Sequence, residues 1–340
     1  MNMLASRARS AHAAALAVVV ALAVTGCAQP VTAPESDAAP TAAAEQPTVD
    51  AAAPVDVAAP ETAGGMADLG TADHPIVMTF VPSGEQEKVT LGSEKITAQL
   101  AKETGLVIKS NVATSYAAAI EAMGSGNAHV GWLNTFNYLL AHQKFDTAPL
   151  LVVERNGSAS YASLIVANAD AGITTLEDLK GKTFCRPDAI STSGWIVPTV
   201  MLKAVGIGES DLTVVDSGNH DAVVAAVYAG KDCVAGAVYD DARGGAQKTY
   251  PDVMDKVVVI ATSDDIPNDN VSVIAGMPAD VAKKLADGLM AMTATDEGSA
   301  ALKDTYGIEK FQTASDTFYD AFRTMLGNAG VDVAELAKEN

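Results

Sequence analysis

The chain is short of basic residues. Its 340 residues include 22 lysines and arginines against 42 aspartates and glutamates, a formal net charge of −20. Nucleic-acid binding needs a basic surface, so that class is excluded. Histidine is equally scarce. Of the five, His12 lies in the N-terminal leader, and His74, His129, His142 and His220 show no metal-ligand spacing. No metal site and no cofactor are therefore expected. A Gly-x-Ser-x-Gly elbow is absent as well. Ser191, His220 and Asp221 would make a poor triad, because adjacent residues at one helix start point in different directions. No catalytic residue is assigned, and the chain is read as non-enzymatic.

The N-terminal apolar run, residues 13–24, is too short to span a bilayer comfortably. With Arg7 and Arg9 before it, residues 1–26 read as a secretory signal peptide. Val24-Thr25-Gly26-Cys27 has the form of a lipobox, which makes Cys27 the expected lipidation site. Residues 28–73 contain no aromatic residue, lysine or arginine but eight acids. Such a segment buries too little apolar surface to offset its ordering entropy, so 27–73 is expected to be a disordered acidic tether. With the signal at +2 and the tether at −8, residues 74–340 carry −14. Any anion bound there must be held by local hydrogen bonds against an unfavourable field. Beyond Cys27, only Cys185 and Cys233 remain. They either pair in an oxidising exterior or pack as two buried thiols.

From residue 74 short apolar strands alternate with amphipathic helices, which predicts an α/β fold with mainly parallel sheets. Residues 85–103, for example, place Val89, Ile96 and Leu100 on one helical stripe. A folded length of about 270 residues fits two lobes. We expect two three-layer α/β/α lobes, lobe I from 74–167 plus 265–340 and lobe II from 168–264. Two crossings between lobes would make a hinge.

Ligands of open α/β sheets sit beyond the carboxyl ends of the strands. The turns expected at those ends are rich in hydroxyls: Val81-Pro82-Ser83-Gly84, Thr114-Ser115-Tyr116, Asn134-Thr135, Ser191-Thr192-Ser193-Gly194 and Ser217-Gly218-Asn219-His220. Three hydroxyls in a row before an apolar helical stretch exceed what one N-cap needs. With the helix's first N–H groups and its dipole they form an oxyanion cradle. Pro198 fits a first helical turn, where a missing N–H costs little. Trp132 and Trp195 read as core residues.

These residues resemble the substrate-binding lipoproteins of phosphonate, phosphite and phosphate ABC importers, which have the type II periplasmic-binding-protein fold. The likeness runs from about 76 to 300. It rests on Val81-Pro82-Ser83, Ser115-Tyr116-Ala117-Ala118-Ala119-Ile120, His129-Val130-Gly131-Trp132-Leu133, Tyr161-Ala162-Ser163-Leu164, Leu176-Glu177-Asp178-Leu179-Lys180-Gly181-Lys182, the Ser191–Gly194 run and Gly218-Asn219-His220-Asp221-Ala222. The resemblance implies a ligand in the cleft between the lobes, held by the hydroxyls and N–H groups of Ser191, Thr192 and Ser193, with Tyr116, Tyr161 and His220 contributing. Ser83 serves equally well as a cap or a contact. In aminophosphonate-binding members two acids hold the ligand's amine, and Asp240 and Asp269 fall near those positions. Asp240 is shorter than the glutamate expected there. The implied protein is a monomeric, lipid-anchored receptor outside the cytoplasmic membrane that takes a phosphonate such as 2-aminoethylphosphonate, or phosphite, and delivers it to an ABC permease. A ligand-sensing lipoprotein acting on a partner receptor is the alternative.

Overall fold

The structure, a computed structural model, describes residues 66–240 and 242–339. The expected signal peptide, Cys27 and the tether up to residue 65 lie outside them.

The strands in chain order are β1 (Ile76–Phe80), β2 (Ile108–Val112), β3 (Val130–Leu133), β4 (Ala148–Glu154), β5 (Ser160–Tyr161), β6 (Ser163–Asn168), β7 (Thr183–Arg186), β8 (Thr213–Asp216), β9 (Ala235–Tyr239), β10 (Val257–Thr262), β11 (Ile266–Pro267), β12 (Asn270–Val273) and β13 (Lys310–Thr313). They form a six-stranded sheet in the order β13-β4-β12-β3-β1-β2 and a five-stranded sheet in the order β10-β6-β9-β7-β8. A two-stranded ribbon, β5 with β11, carries the chain between the two sheets, with Ile266 opposite Tyr161. β3 and β4 read as continuous apolar runs because both of their faces are covered.

Both sheets are mixed, where mainly parallel sheets were expected. β1 runs parallel to β2 and β3, and β7 parallel to β8 and β9. β12, β4 and β13 pair antiparallel, as do β6, β9 and β10. The reversal comes from the ribbon, which delivers the chain into each sheet from the opposite direction. β6 is also a correction to the expected boundary at 167. It pairs with β9 and β10, so the second sheet begins at Ser163. Residues 66–73, placed in the tether by sequence, belong to the fold. Leu69 is buried in the first core, and the Gly70 carbonyl accepts the Val107 N–H at 2.7 Å. Leu69 is the only leucine between 28 and 73, and it is the residue that anchors 66–73 in the core.

The stripe Val89, Ile96 and Leu100 of helix Gln86–Thr104 is buried against the first sheet, where Ser93 and Thr97 share the buried face. Phe80, Trp132 and Tyr306 stack there with ring centroids 5.5–6.3 Å apart. Trp195 packs on Phe184 in the second core with the Arg186 guanidinium over its ring, so both tryptophans are core residues. Cys185 on β7 and Cys233 just before β9 form a disulfide. β7 and β9 are neighbours, which brings the two sulfurs together. Helices Asp320–Asn328 and Val333–Glu339 close the chain, the latter against Thr135–Phe145. Among the described residues no helix is long and apolar enough to cross a membrane.

Candidate functional site: a cleft between two sheets

The carboxyl ends of β1, β3, β7 and β9 face one cavity of about 420 Å³. All nine residues expected at the site, Ser83, Tyr116, Tyr161, Ser191, Thr192, Ser193, His220, Asp240 and Asp269, lie in its wall.

The 191–194 segment opens a helical stretch at the cavity wall. Ser191 is extended and caps the start of a wide π-type turn, Thr192–Ile196, which runs into helix Val197–Ala204. The Ser191 hydroxyl accepts the Gly194 N–H at 3.2 Å, and its carbonyl accepts those of Trp195 and Ile196. A Cβ at Gly194 would stand 2.3 Å from Pro187 Cδ, so this approach requires glycine. The first N–H groups of such a turn have no intrahelical carbonyl to bond. Pro198 occupies the first turn of the following helix.

Two polar side-chain atoms are buried here without a well-formed hydrogen bond. They are the Tyr116 hydroxyl, which lies near Ser191, and His220 Nδ1, and both residues are less than 5 % exposed. Burial raises the Tyr116 hydroxyl well above its ordinary value, and the charges of Asp188 and Asp269 add to this, so it stays a donor. Burial likewise raises Tyr161, reinforced by Asp269. His220 starts helix His220–Ala229, and its ring packs edge-on to Tyr239 at 4.8 Å. Burial pushes its pKa down to about 3, so the ring is neutral at pH 7. His220 Nε2 stands 3.4 Å from Ser191 Oγ. A triad is not assembled around this pair. Nδ1 lacks an orienting acid, and Asp221 Oδ2 instead accepts the Glu85 N–H at 3.1 Å.

Thr192 does something the sequence did not show. Its hydroxyl donates to Asn134 Oδ1 at 2.8 Å and accepts the Phe136 N–H at 2.9 Å. Asn134 and Phe136 belong to the start of helix Thr135–Phe145, beside the other sheet. The Thr192 proton is therefore spent on a bridge across the cleft. Two more bridges run across it, the Asp221–Glu85 bond and the His220 N–H to the Ser83 carbonyl at 3.2 Å. The structure is thus a closed form.

Asp269 also differs from the expectation of a free carboxylate. Arg155 Nη2 donates to its Oδ2 at 2.7 Å. Arg155 also donates from Nη1 to Asn268 Oδ1 and from Nε to the Tyr306 carbonyl, the latter at 2.7 Å. Sequence reasoning missed Arg155, Tyr239 and Tyr306, and placed Asn134 at a strand-end turn without giving it a role. Arg155 carried one usable signal, since it is one of only four arginines after residue 9 and sits at the end of an apolar strand. Among the described residues no group of three or more histidine, cysteine, aspartate or glutamate side chains is placed to hold a metal ion.

Two α/β layers closing on a polar cleft define a type II periplasmic binding protein. The family of periplasmic phosphonate substrate-binding proteins of ABC transporters matches residues 78–319, and the chain belongs to it. The chain is 29 % identical over 177 residues to the phosphate-import protein PhnD of Mycolicibacterium smegmatis, covering 48 % of this chain and 55 % of that protein. It is 27 % identical over 224 residues to the phosphonates-binding periplasmic protein of Escherichia coli, covering 63 % and 65 %. The matches thus span between half and two thirds of these relatives' length. In fold it is similar to a binding protein of an ABC phosphonate transporter from Pseudomonas aeruginosa, with TM-score 0.69, 22 % identity and coverage of 75 % of this chain and 86 % of that one. PhnD1 from Prochlorococcus marinus, solved with methylphosphonate, gives TM-score 0.68 at 17 % identity, covering 76 % and 98 %.

Proposed function

We propose that this protein is the extracytoplasmic solute receptor of an ABC importer and that its ligand is a small phosphorus oxyanion. The ligand sits on the 191–193 cradle, and the lobes close over it before docking on the membrane permease. Cys27 is the lipid anchor, and the protein acts as a monomer without catalysis. The observation that carries this reading is the pair of buried polar groups without a well-formed hydrogen bond, Tyr116 Oη and His220 Nδ1, in a cavity whose floor is a helix start. An unpaired buried polar group costs about 1–3 kcal/mol, so a cleft that keeps two of them is built for a polar ligand. Hydroxyls suit a partly protonated phosphorus acid, because each donates to a charged oxygen or accepts from a P–OH. Relatives named for phosphate import and phosphonate binding fit the same ligand chemistry.

Calorimetry of the full-length chain with methylphosphonate, phosphite, phosphate and sulfate tests this. At least one phosphorus oxyanion binds, and sulfate, which carries no proton near neutral pH, binds at least tenfold more weakly than the best of them. Ser191→Ala weakens the best ligand about 10- to 100-fold, the loss of a hydrogen bond to a charged group. Silence with all four ligands refutes the reading.

A further inference from the structure

Arg155 reaches the cleft from the end of β4, at the turn closed by the Arg155–Ser158 bridge. Its guanidinium is fixed from three sides, by the Asp269 carboxylate, the Asn268 side-chain oxygen and the Tyr306 carbonyl. Asp269 is fixed in turn, because its carbonyl accepts the Val153 N–H at 2.9 Å. Both residues lie in the cavity wall with Tyr161, Tyr239 and Asp240. The carboxylate that would hold a ligand's ammonium is therefore already neutralised by a cation of the protein. An ammonium brought to Asp269 would stand beside the guanidinium, and like charges at that range repel. Asp240 also lines the wall, but an acid that shares the cavity with a fixed arginine is a weak cage for an amine.

We propose that Arg155 is a specificity-determining residue that closes this cleft to amine-bearing ligands and restricts it to phosphorus oxyanions without an amine. The inference rests on reading the cleft as a phosphorus-oxyanion site, and it sets aside 2-aminoethylphosphonate, one of the ligands the sequence left open. Arginine suits the task because its charge cannot be titrated away and its planar fork serves several acceptors at once.

The test is a matched ligand pair, ethylphosphonate and 2-aminoethylphosphonate, titrated calorimetrically into the full-length chain with phosphate, phosphite and methylphosphonate alongside. The two alkylphosphonates differ only by the amine. The wild type binds ethylphosphonate at least tenfold tighter. Arg155→Gln frees Asp269 and shrinks that ratio at least tenfold. Asp269→Asn, which removes only the counter-charge, leaves ethylphosphonate preferred. Tighter binding of the aminophosphonate by the wild type overturns the proposal, as does its selective loss in Asp269→Asn. Should Arg155→Gln fail to fold, the wild-type ratio and the Asp269 variant still decide. Silence with every phosphorus ligand refutes the reading of the cleft itself, and this inference with it.

Discussion

Replacing Thr192 with valine removes one hydroxyl and keeps the shape of the side chain. In the closed form that hydroxyl serves two groups. The Phe136 N–H is one of the donors at the start of helix Thr135–Phe145 that no intrahelical carbonyl can take, and Thr192 Oγ1 is the partner it has. Stranding it in a buried position costs about 1–3 kcal/mol. Asn134 Oδ1 suffers less, since it still accepts the Asn137 N–H at 2.9 Å; losing the Thr192 bond there costs about 1 kcal/mol. The sum is about 3 kcal/mol, or about 150-fold in an equilibrium constant.

This cost falls on the closed form alone. In an open form water reaches both groups. Ligand binding includes closure, so Thr192→Val raises Kd by about 150-fold while thermal unfolding of the ligand-free chain moves little. Calorimetry with the best-binding oxyanion gives the first quantity, and small-angle scattering with and without ligand shows whether closure is lost. An affinity within threefold of wild type would mean that the hydroxyl bridge does not hold the lobes together, and the closed-form argument would fail.

Two further predictions concern His220 and the disulfide. Burial holds His220 at about 3 in the closed form, against an ordinary 6.5 once opening exposes the ring. The open form therefore takes up a proton below pH 6.5 that the closed form refuses, and closure of the ligand-free chain weakens as pH falls from 6.5 towards 3. At pH 5 the penalty is about 2 kcal/mol relative to pH 8, about 30-fold towards the open form. Scattering from ligand-free protein across that range should show the shift, and a His220→Asn variant with the same pH response would sink the assignment. The Cys185–Cys233 bridge spans 48 residues of sequence. The loop-entropy model gives it about 4 kcal/mol, so a double alanine variant should unfold at clearly lower denaturant. An unchanged midpoint would contradict that account.

The sequence showed the cradle well and its wiring poorly. Hydroxyls crowded at strand ends, and the Ser-Thr-Ser-Gly run before an apolar helix, marked the cavity because those signals are local. The stripe of helix Gln86–Thr104 and the apolar β3 and β4 were legible for the same reason. Pairing across long separations was not. Arg155 meets Asp269 from 114 residues away, and Thr192 meets Asn134 from 58. Nothing near either residue announces its partner. β13, Lys310–Thr313, is a polar edge strand whose only partner is β4, so it lacks the apolar alternation that marks a half-buried strand. β5 and β11 have two residues each, too short for any periodicity, yet they carry the chain between the sheets and set the antiparallel direction of the returning strands. Leu69 was hidden by composition, the one leucine in a segment rich in Ala, Pro and acids.

An acidic protein that holds an anion must solve an electrostatic problem locally. The cavity wall contains Lys88, Arg155 and Lys303 against Asp221, Asp240, Asp269 and Asp304, and so offers no excess of positive side chains. Asp269 is engaged by the Arg155 guanidinium and Asp221 by the Glu85 N–H at the start of helix Gln86–Thr104. Beside these charges the wall offers neutral donors: hydroxyls, a neutral imidazole and the N–H groups of helix starts. Such donors bind by direction rather than by net charge. They count most when water is excluded, because the same dipole does more in a low-dielectric site. Closure and recognition are therefore one event here. On the proposed reading, the Thr192 and Asp221 bridges remove the water, and only then would Ser191, Ser193, Tyr116 and His220 hold an anion against the field of the whole chain.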